Sequence, residues 1–227
     1  MPNWCSNTLT LTHADPAMIS RAKDAFKDGR LLDEFIPVPA DLKETVAGSF
    51  GDAEKQAALE AKSEANREQH GYANWYDFCV NEWGTKWDVG GEGDFADDGD
   101  NSVTFYFDSA WAPPTKAYER LEEQGFAVSA MYYEPGMAFA GRYEDGCDDY
   151  YEYGDMSADD VENMLPNDID EYFGISEGIR DWAESEEEDV PEIDDEETAR
   201  AALDELKADY EKLMAEEESA ENDQDKR

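Results

Sequence analysis

The stretch Val103–Tyr133, VTFYFDSAWAPPTKAYERLEEQGFAVSAMYY, decides the fold. Val103 to Trp111 is dense in β-branched and aromatic side chains and reads as a strand. Pro113-Pro114 stops it, and Pro in a first turn suits the start of a helix. Ala117, Tyr118 and Leu121 then fall on one face of a helix over 114–124, and Gly125 supplies its C-cap. Phe126 to Tyr133 is the next strand, so the segment reads strand, helix, strand.

Working outward, the N-terminal region has the same opening. Leu9 and Leu11 alternate with Thr8, Thr10 and Thr12 in a strand over Trp4 to Thr12. Asp15-Pro16 is an N-cap followed by Pro at N1, and Met18, Ile19, Ala22, Ala25 and Phe26 line one face of the helix that Gly29 ends. A strand over Trp87 to Phe95 precedes Val103 to Trp111, and the Asp97-Asp-Gly-Asp-Asn101 turn between them predicts a hairpin. A last strand, Met137 to Tyr143, follows a type II turn at Glu134-Pro-Gly136. The order strand, helix, insertion, strand, strand, helix, strand, plus one added strand, is the split βαβ, or ferredoxin-like, plan. The expected class is α+β, an antiparallel sheet backed by helices.

The insertion spans about residues 40–85. Phe35-Ile-Pro-Val-Pro39 leads into it as an extended segment. Residues 52–70 form a surface helix without a strong apolar stripe, and Trp75 to Trp87 holds a short helix ending near Gly84. Beyond the core of 1–145, residues 146–183 read as a short helical extension packed on the domain. Ser157 with Asp160 resembles a capping box there, ahead of Pro166, while Ile169, Tyr172, Phe173, Ile175, Ile179 and Trp182 supply apolar cover. Glu184 to Glu197 reads as an acidic linker. Thr198 to Glu218 is an amphipathic helix carrying Ala199, Leu203, Leu206, Tyr210 and Leu213.

The 227 residues include 59 acidic and 18 basic side chains, a net charge of -41. Residues 143–227 alone contribute -28, so most of the imbalance lies outside the strand–helix core. Such a chain is a poor ligand for DNA or RNA, whose phosphates require Lys and Arg. Cys5, Cys79 and Cys147 are odd in number and far apart, as in reduced cytosolic proteins. The N-terminus lacks the basic and apolar regions of a signal peptide, and no apolar run approaches membrane-spanning length, so a soluble cytoplasmic protein is expected.

Several local signatures recur in a fixed order. They are Met1-Pro-Asn-Trp-Cys-Ser-Asn7, Phe35-Ile-Pro-Val-Pro39, Asn81-Glu-Trp-Gly-Thr-Lys-Trp-Asp88, Phe107-Asp-Ser-Ala-Trp-Ala-Pro-Pro114, Tyr133-Glu-Pro-Gly136 and Phe139-Ala-Gly141. Together they resemble the YubB-type ferredoxin-like domain family of phages and plasmids, over residues 1 to about 145. The resemblance implies a ferredoxin-like fold and a mobile-element setting, and it carries over no catalytic residues.

Candidate chemistry is sparse. Trp4, Trp75, Trp83, Trp87 and Trp111 are expected mainly to pack the core, with a planar-ligand pocket as the alternative. Trp83, Thr85, Lys86, Trp87 and Trp111 form the candidate ligand site. Lys86 is either an anion contact or, better favoured, a cation–π partner or a hydrogen-bond donor to a buried carbonyl. Cys5, His13, His70, Cys79 and Cys147 lack zinc-ligand spacing, and Asp97 to Asn101 lacks the alternating ligands of a calcium loop. The acid- and tyrosine-rich run Asp145 to Asp155 reads as a solvated segment with tyrosine bodies packed inward. His13 and His70 sit in no nucleophile motif, so no catalytic residue, cofactor or metal is assigned.

The leading functional expectation is a non-enzymatic DNA mimic, of anti-restriction or anti-CRISPR type. Its partner is a basic nucleic-acid-binding protein. Its acidic surface comprises Glu186, Glu187, Glu188, Asp189, Asp194, Asp195, Glu196, Glu197, Asp204, Glu205, Asp209, Glu211, Glu216, Glu217 and Glu218. Duplex DNA presents a charge every ~1.7 Å and a helix rises ~1.5 Å per residue, so a carboxylate-lined helix can approach that density. The alternatives are an accessory module whose sheet binds a peptide or small ligand, and a metal-assisted nucleotide hydrolase.

Overall fold

The computed structural model describes residues 3–188 and 207. β1 (Trp4–Thr12) alternates as the sequence requires, with Cys5, Asn7, Leu9 and Leu11 buried and Trp4, Ser6, Thr8 and Thr10 on the opposite face. Asp15 accepts the Ala17 N–H at 2.9 Å and opens α1 (Pro16–Lys27), which buries Ile19, Ala22, Ala25 and Phe26. α2 (Leu31–Phe35) precedes the insertion, which holds α3 (Ala40–Lys43), α4 (Ala53–His70) and α5 (Trp75–Phe78), the last running into a π-helical turn, Cys79–Trp83. The hairpin of β2 (Asp94–Asp97) and β3 (Ser102–Ala110) precedes α6 (Thr115–Glu123). Then come β4 (Ala127–Glu134), β5 (Phe139–Glu144) and β6 (Cys147–Glu152), followed by α7 (Ala158–Met164), α8 (Asn167–Phe173) and α9 (Ile175–Glu188).

The six strands form one sheet in the order β2-β3-β1-β4-β5-β6, and every pairing is antiparallel. The protein is α+β, with helices backing this sheet. β1 is the central partner, matched along its length with β3 and over Ser6–Thr12 with β4. The core lies on one sheet face, where Leu9, Leu11, Val103, Phe105 and Val128 meet Ile19 and Phe26 of α1 and Ala117, Tyr118 and Leu121 of α6. Phe26 stacks on Phe105 with ring centroids 4.4 Å apart.

β6 joins this sheet through a glycine. Tyr132 lies opposite Gly141, and a Cβ there would stand 2.3 Å from the Tyr132 hydroxyl and 2.5 Å from the Asp149 carbonyl. The bare backbone lets the Tyr132 ring cross β5, and its hydroxyl donates to Asp148 of β6 at 2.6 Å. Cys147–Glu152 is therefore sheet, where the sequence placed the start of a helical extension.

Other expectations need correction. The strand expected over Trp87 to Phe95 begins only at Asp94, because residues 87–93 are tied to the helices instead. Gly91 donates to the Phe26 carbonyl at 2.7 Å, and a Cβ on Gly90, which has φ 108°, would lie 2.2 Å from that oxygen. Asp88 accepts from the amides of Leu32, Asp33 and Val89 at 2.7, 2.9 and 2.8 Å, which fixes the chain beside α2. Phe35 ends α2 and is not extended. The turn after β4 places Ala138 (φ 54°), not Gly136, in the left-handed region, and the buried Glu134 carboxylate accepts the Gly136 and Met137 amides.

Half of the capping box forms: Ser157 accepts the Asp160 amide, and its hydroxyl, not its backbone amide, donates to the Asp160 carboxylate at 2.7 Å. α4 is a surface helix whose one buried residue, Asn66, donates to Thr45 and to the Ala73 carbonyl at 2.9 Å each. The part of the expected acidic linker at 184–188 is helical, within α9. The rest of that linker, and the expected helix Thr198 to Glu218 apart from the helical Lys207, lie outside the described residues. Among the described residues no helix is long and apolar enough to cross a membrane. The chain divides into the units Met1–Glu177 and Gly178–Arg227, and the sheet belongs to the first.

Candidate functional site

The face of the sheet opposite the core is only partly covered. Thr8 donates to the Tyr172 hydroxyl at 2.8 Å, Phe173 packs on Tyr133 at 5.4 Å, and Arg142 pairs with Asp168. These contacts bring α8 against β1, β4 and β5. The β1–β3–β2 side remains open as a groove of about 830 Å³.

The groove is built from sheet register. Tyr106 lies between Asp94 of β2 and Thr8 of β1, and Asp108 lies opposite Ser6. Trp4 and Trp87, with ring centroids 5.9 Å apart, close one end, and Tyr172 and Phe173 stand at another part of the rim. Asp108 accepts from the Ser6 hydroxyl at 2.9 Å, and Asp94 accepts the Phe95 amide at 2.8 Å. Among the described residues, Asp94, Asp108 and the neighbouring Glu92 form no ion pair, and no Lys, Arg or His lines the groove. Asp88 also borders it but is committed to its three amides. Burial pushes its carboxyl above the usual carboxylate range despite those donors.

A second locus adjoins the first at Trp87. Thr85 donates to the Ala110 carbonyl and Trp83 to the Ile36 carbonyl, each at 3.0 Å. The Trp111 amide donates to the Asn3 carbonyl at 2.9 Å, with Trp111 itself at φ 68°. These anchors set the Lys86 ammonium 4.6 Å from the Trp87 ring centroid, 4.9 Å from that of Trp111 and 5.8 Å from that of Tyr76. Lys86 has no ion pair among the described residues, so aromatic faces supply its electrostatic contacts. Two smaller cavities, about 370 and 420 Å³, both reach it.

Nearby, Glu82 accepts from Tyr72 and from Arg120, which hold its carboxyl below the usual range, and the hydrogen bond to Glu82 in turn raises the Tyr72 phenol. Burial pushes the Cys5 and Cys79 thiols up to about 12, which disfavours either as a thiolate nucleophile at neutral pH. Among the described residues no group of three His, Cys, Asp or Glu side chains could hold a metal ion. His13 packs on Phe126, and His70 faces Asp41. The Asp97 to Asn101 segment forms the hairpin turn, with Asp97 paired to Lys23.

The expected ligand set therefore splits. Lys86, Trp87 and Trp111 come together, whereas Trp83 and Thr85 are buried and spent on backbone carbonyls. The tryptophans do not pack as one core group: Trp83 is 4% exposed, but Trp4, Trp87 and Trp111 are 48%, 39% and 42% exposed. Sequence reasoning missed Asp94, Tyr106 and Asp108. The signal was the alternation of β3 read jointly with its pairing to β1, which puts Tyr106 and Asp108 on the face of Trp4 and Ser6. Of the expected acidic surface, Glu186, Glu187 and Glu188 fall in α9. Asp189, Asp194, Asp195, Glu196, Glu197, Asp204, Glu205, Asp209, Glu211, Glu216, Glu217 and Glu218 lie outside the described residues.

No family model matches the chain, and no curated protein matches it. Among solved structures it is similar to the crystal structure of a protein api92 from Yersinia pseudotuberculosis, of family model DUF1281. The two are 15% identical over 68% of this chain and 99% of that one, with a TM-score of 0.36. A likeness at that level identifies neither fold nor function.

Proposed function

We propose that this chain is a non-enzymatic acidic binding protein of a mobile genetic element, and that it occupies the basic nucleic-acid groove of a host defence protein. The observation that carries the reading is electrostatic. A chain of net charge -41 presents, in the groove on the open sheet face, carboxylates with no lining cation among the described residues. Unneutralised carboxylates steer a basic partner over long range and pair with its Arg and Lys on contact. We assign the core to a ferredoxin-like unit of YubB type. The order β2-β3-β1-β4, with the α1 and α6 crossovers on one face, supports that plan. The mobile-element setting rests on the ordered signatures of the N-terminal region.

Competition measures the proposal directly. Increasing amounts of the full chain are added to a restriction or CRISPR-type effector holding its DNA. Displacement is expected at low salt, and it should fade steeply as salt rises. No displacement of DNA from any of a panel of basic effectors at low salt sinks the proposal. A second reading, in which the sheet binds a peptide and the tail serves solubility, is favoured by the open groove. It requires that a chain lacking residues 189–227 keep its full affinity.

A further inference from the structure

We infer that the open groove on the sheet is a docking site for an arginine-bearing segment of the basic partner, with the guanidinium received between the aromatic rim and the carboxylates of Asp94 and Asp108. The inference rests on the acidic-binder reading above and gives it an address. Three observations carry it. First, Asp94 and Asp108 flank Tyr106 on adjacent strands of one sheet face, and neither has a cation partner among the described residues. Each already accepts one short hydrogen bond, from the Phe95 amide and the Ser6 hydroxyl, which restrains the carboxylates without neutralising them. Second, the rim is aromatic, with Trp4, Trp87 and Tyr106 all more than a third exposed. Third, one ring of that rim already receives a cation, since the Lys86 ammonium lies 4.6 Å from the centroid of Trp87.

The chemistry selects arginine among cations. A guanidinium is planar, stacks on aromatic faces, is less strongly hydrated than an ammonium and offers paired N–H donors to carboxylates. Charge complementarity calls for a basic occupant, and residues 189–227 of this chain, with 16 acidic and 5 basic side chains, do not have that chemistry. Basic nucleic-acid-binding surfaces are rich in arginine, so the groove takes the side chains that would otherwise contact phosphate.

The test uses the full chain, an Arg-Gly repeat peptide and its Lys-Gly counterpart, by calorimetry at low salt. The Arg peptide is expected to bind about tenfold more tightly than the Lys peptide. Asp94→Asn with Asp108→Asn should weaken Arg-peptide binding about tenfold, and Trp4→Ala should weaken it severalfold. Replacing Asp194, Asp195, Glu196 and Glu197 by their amides should change it little. Indole resonances give a second readout on the unmodified chain: those of Trp4 and Trp87 should shift with peptide while that of the buried Trp83 stays fixed. Equal affinity for the two peptides overturns the arginine assignment. Binding that survives the groove substitutions and disappears with the tail substitutions overturns the groove but leaves the acidic-binder reading standing. Absence of binding to either peptide overturns both.

Discussion

The two faces of β1 and β3 are made by one alternating pattern, yet they differ in how their side chains are committed. On the inner face, Leu9, Leu11, Phe105 and Phe107 are packed against α1 and α6, and Asn7 donates to the Cys5 carbonyl and the Ser109 hydroxyl. On the outer face, Trp4, Tyr106, Asp94 and Asp108 are exposed, and the two carboxylates have no cation partner among the described residues. The difference separates residues that build the fold from residues the fold presents. It also separates acids by role: Asp88 accepts three amides and Glu82 pairs with Arg120, whereas Asp94 and Asp108 each accept one hydrogen bond and have no cation partner among the described residues.

Phe105 and Tyr106 break or sustain this comparison most directly, since they are adjacent. Phe105→Ala removes a fully buried ring stacked on Phe26, and a loss of about 3–5 kcal/mol is expected from denaturant unfolding. Tyr106→Ala should cost less than about 1 kcal/mol, because its ring faces the open groove. Equal losses would show that the outer face is as structural as the inner one.

The acids come next. Asp88→Ala strips the acceptor from three amides, and a loss of about 2–3 kcal/mol is expected in the same measurement. Asn at this position keeps one acceptor but turns an NH₂ group toward an amide donor, so it should recover only part of the loss.

Much of this architecture was legible in the sequence, and the reasons are local. Asp15-Pro16 dictated the start of α1, the 117, 118 and 121 spacing gave the inward face of α6, and the Leu-Thr alternation gave β1. Two of the misses share one cause: each depended on a partner outside its own segment. Residues 87–93 look like strand until Gly90 meets the Phe26 carbonyl and Asp88 caps α2, 56 positions away. β6 looks like a solvated acidic run until the Tyr132 hydroxyl crosses Gly141 to reach Asp148. The site was legible in Lys86, Trp87 and Trp111, which cluster in one signature and its neighbour. Asp94 and Asp108 could not be singled out among 59 acids without the register that sets them beside Tyr106.

Glu82 tests the committed acids by pH. Tyr72 and Arg120 lower its folded-state pKa, so its contribution is complete above the unfolded carboxylate value of about 4.3 and is lost as pH falls through the folded value. Glu82→Gln should therefore melt below the parent at neutral pH, and the gap should close on acidification below about pH 4. A gap that is constant with pH would assign the effect to lost packing.

The smallest expected effect is the most discriminating. Asp94→Asn with Asp108→Asn removes two exposed acids with no cation partner among the described residues of a chain at net charge -41, so the self-repulsion they add is relieved. Melting should stay within about 0.5 kcal/mol of the parent, or rise slightly. The Ser6–Asp108 bond is kept, because an Asn carbonyl oxygen still accepts from the hydroxyl. Unchanged stability together with about tenfold weaker arginine-peptide binding is a combination that a structural role cannot produce. A large loss of stability would instead make these carboxylates part of the sheet's framework and erase the distinction between its two faces.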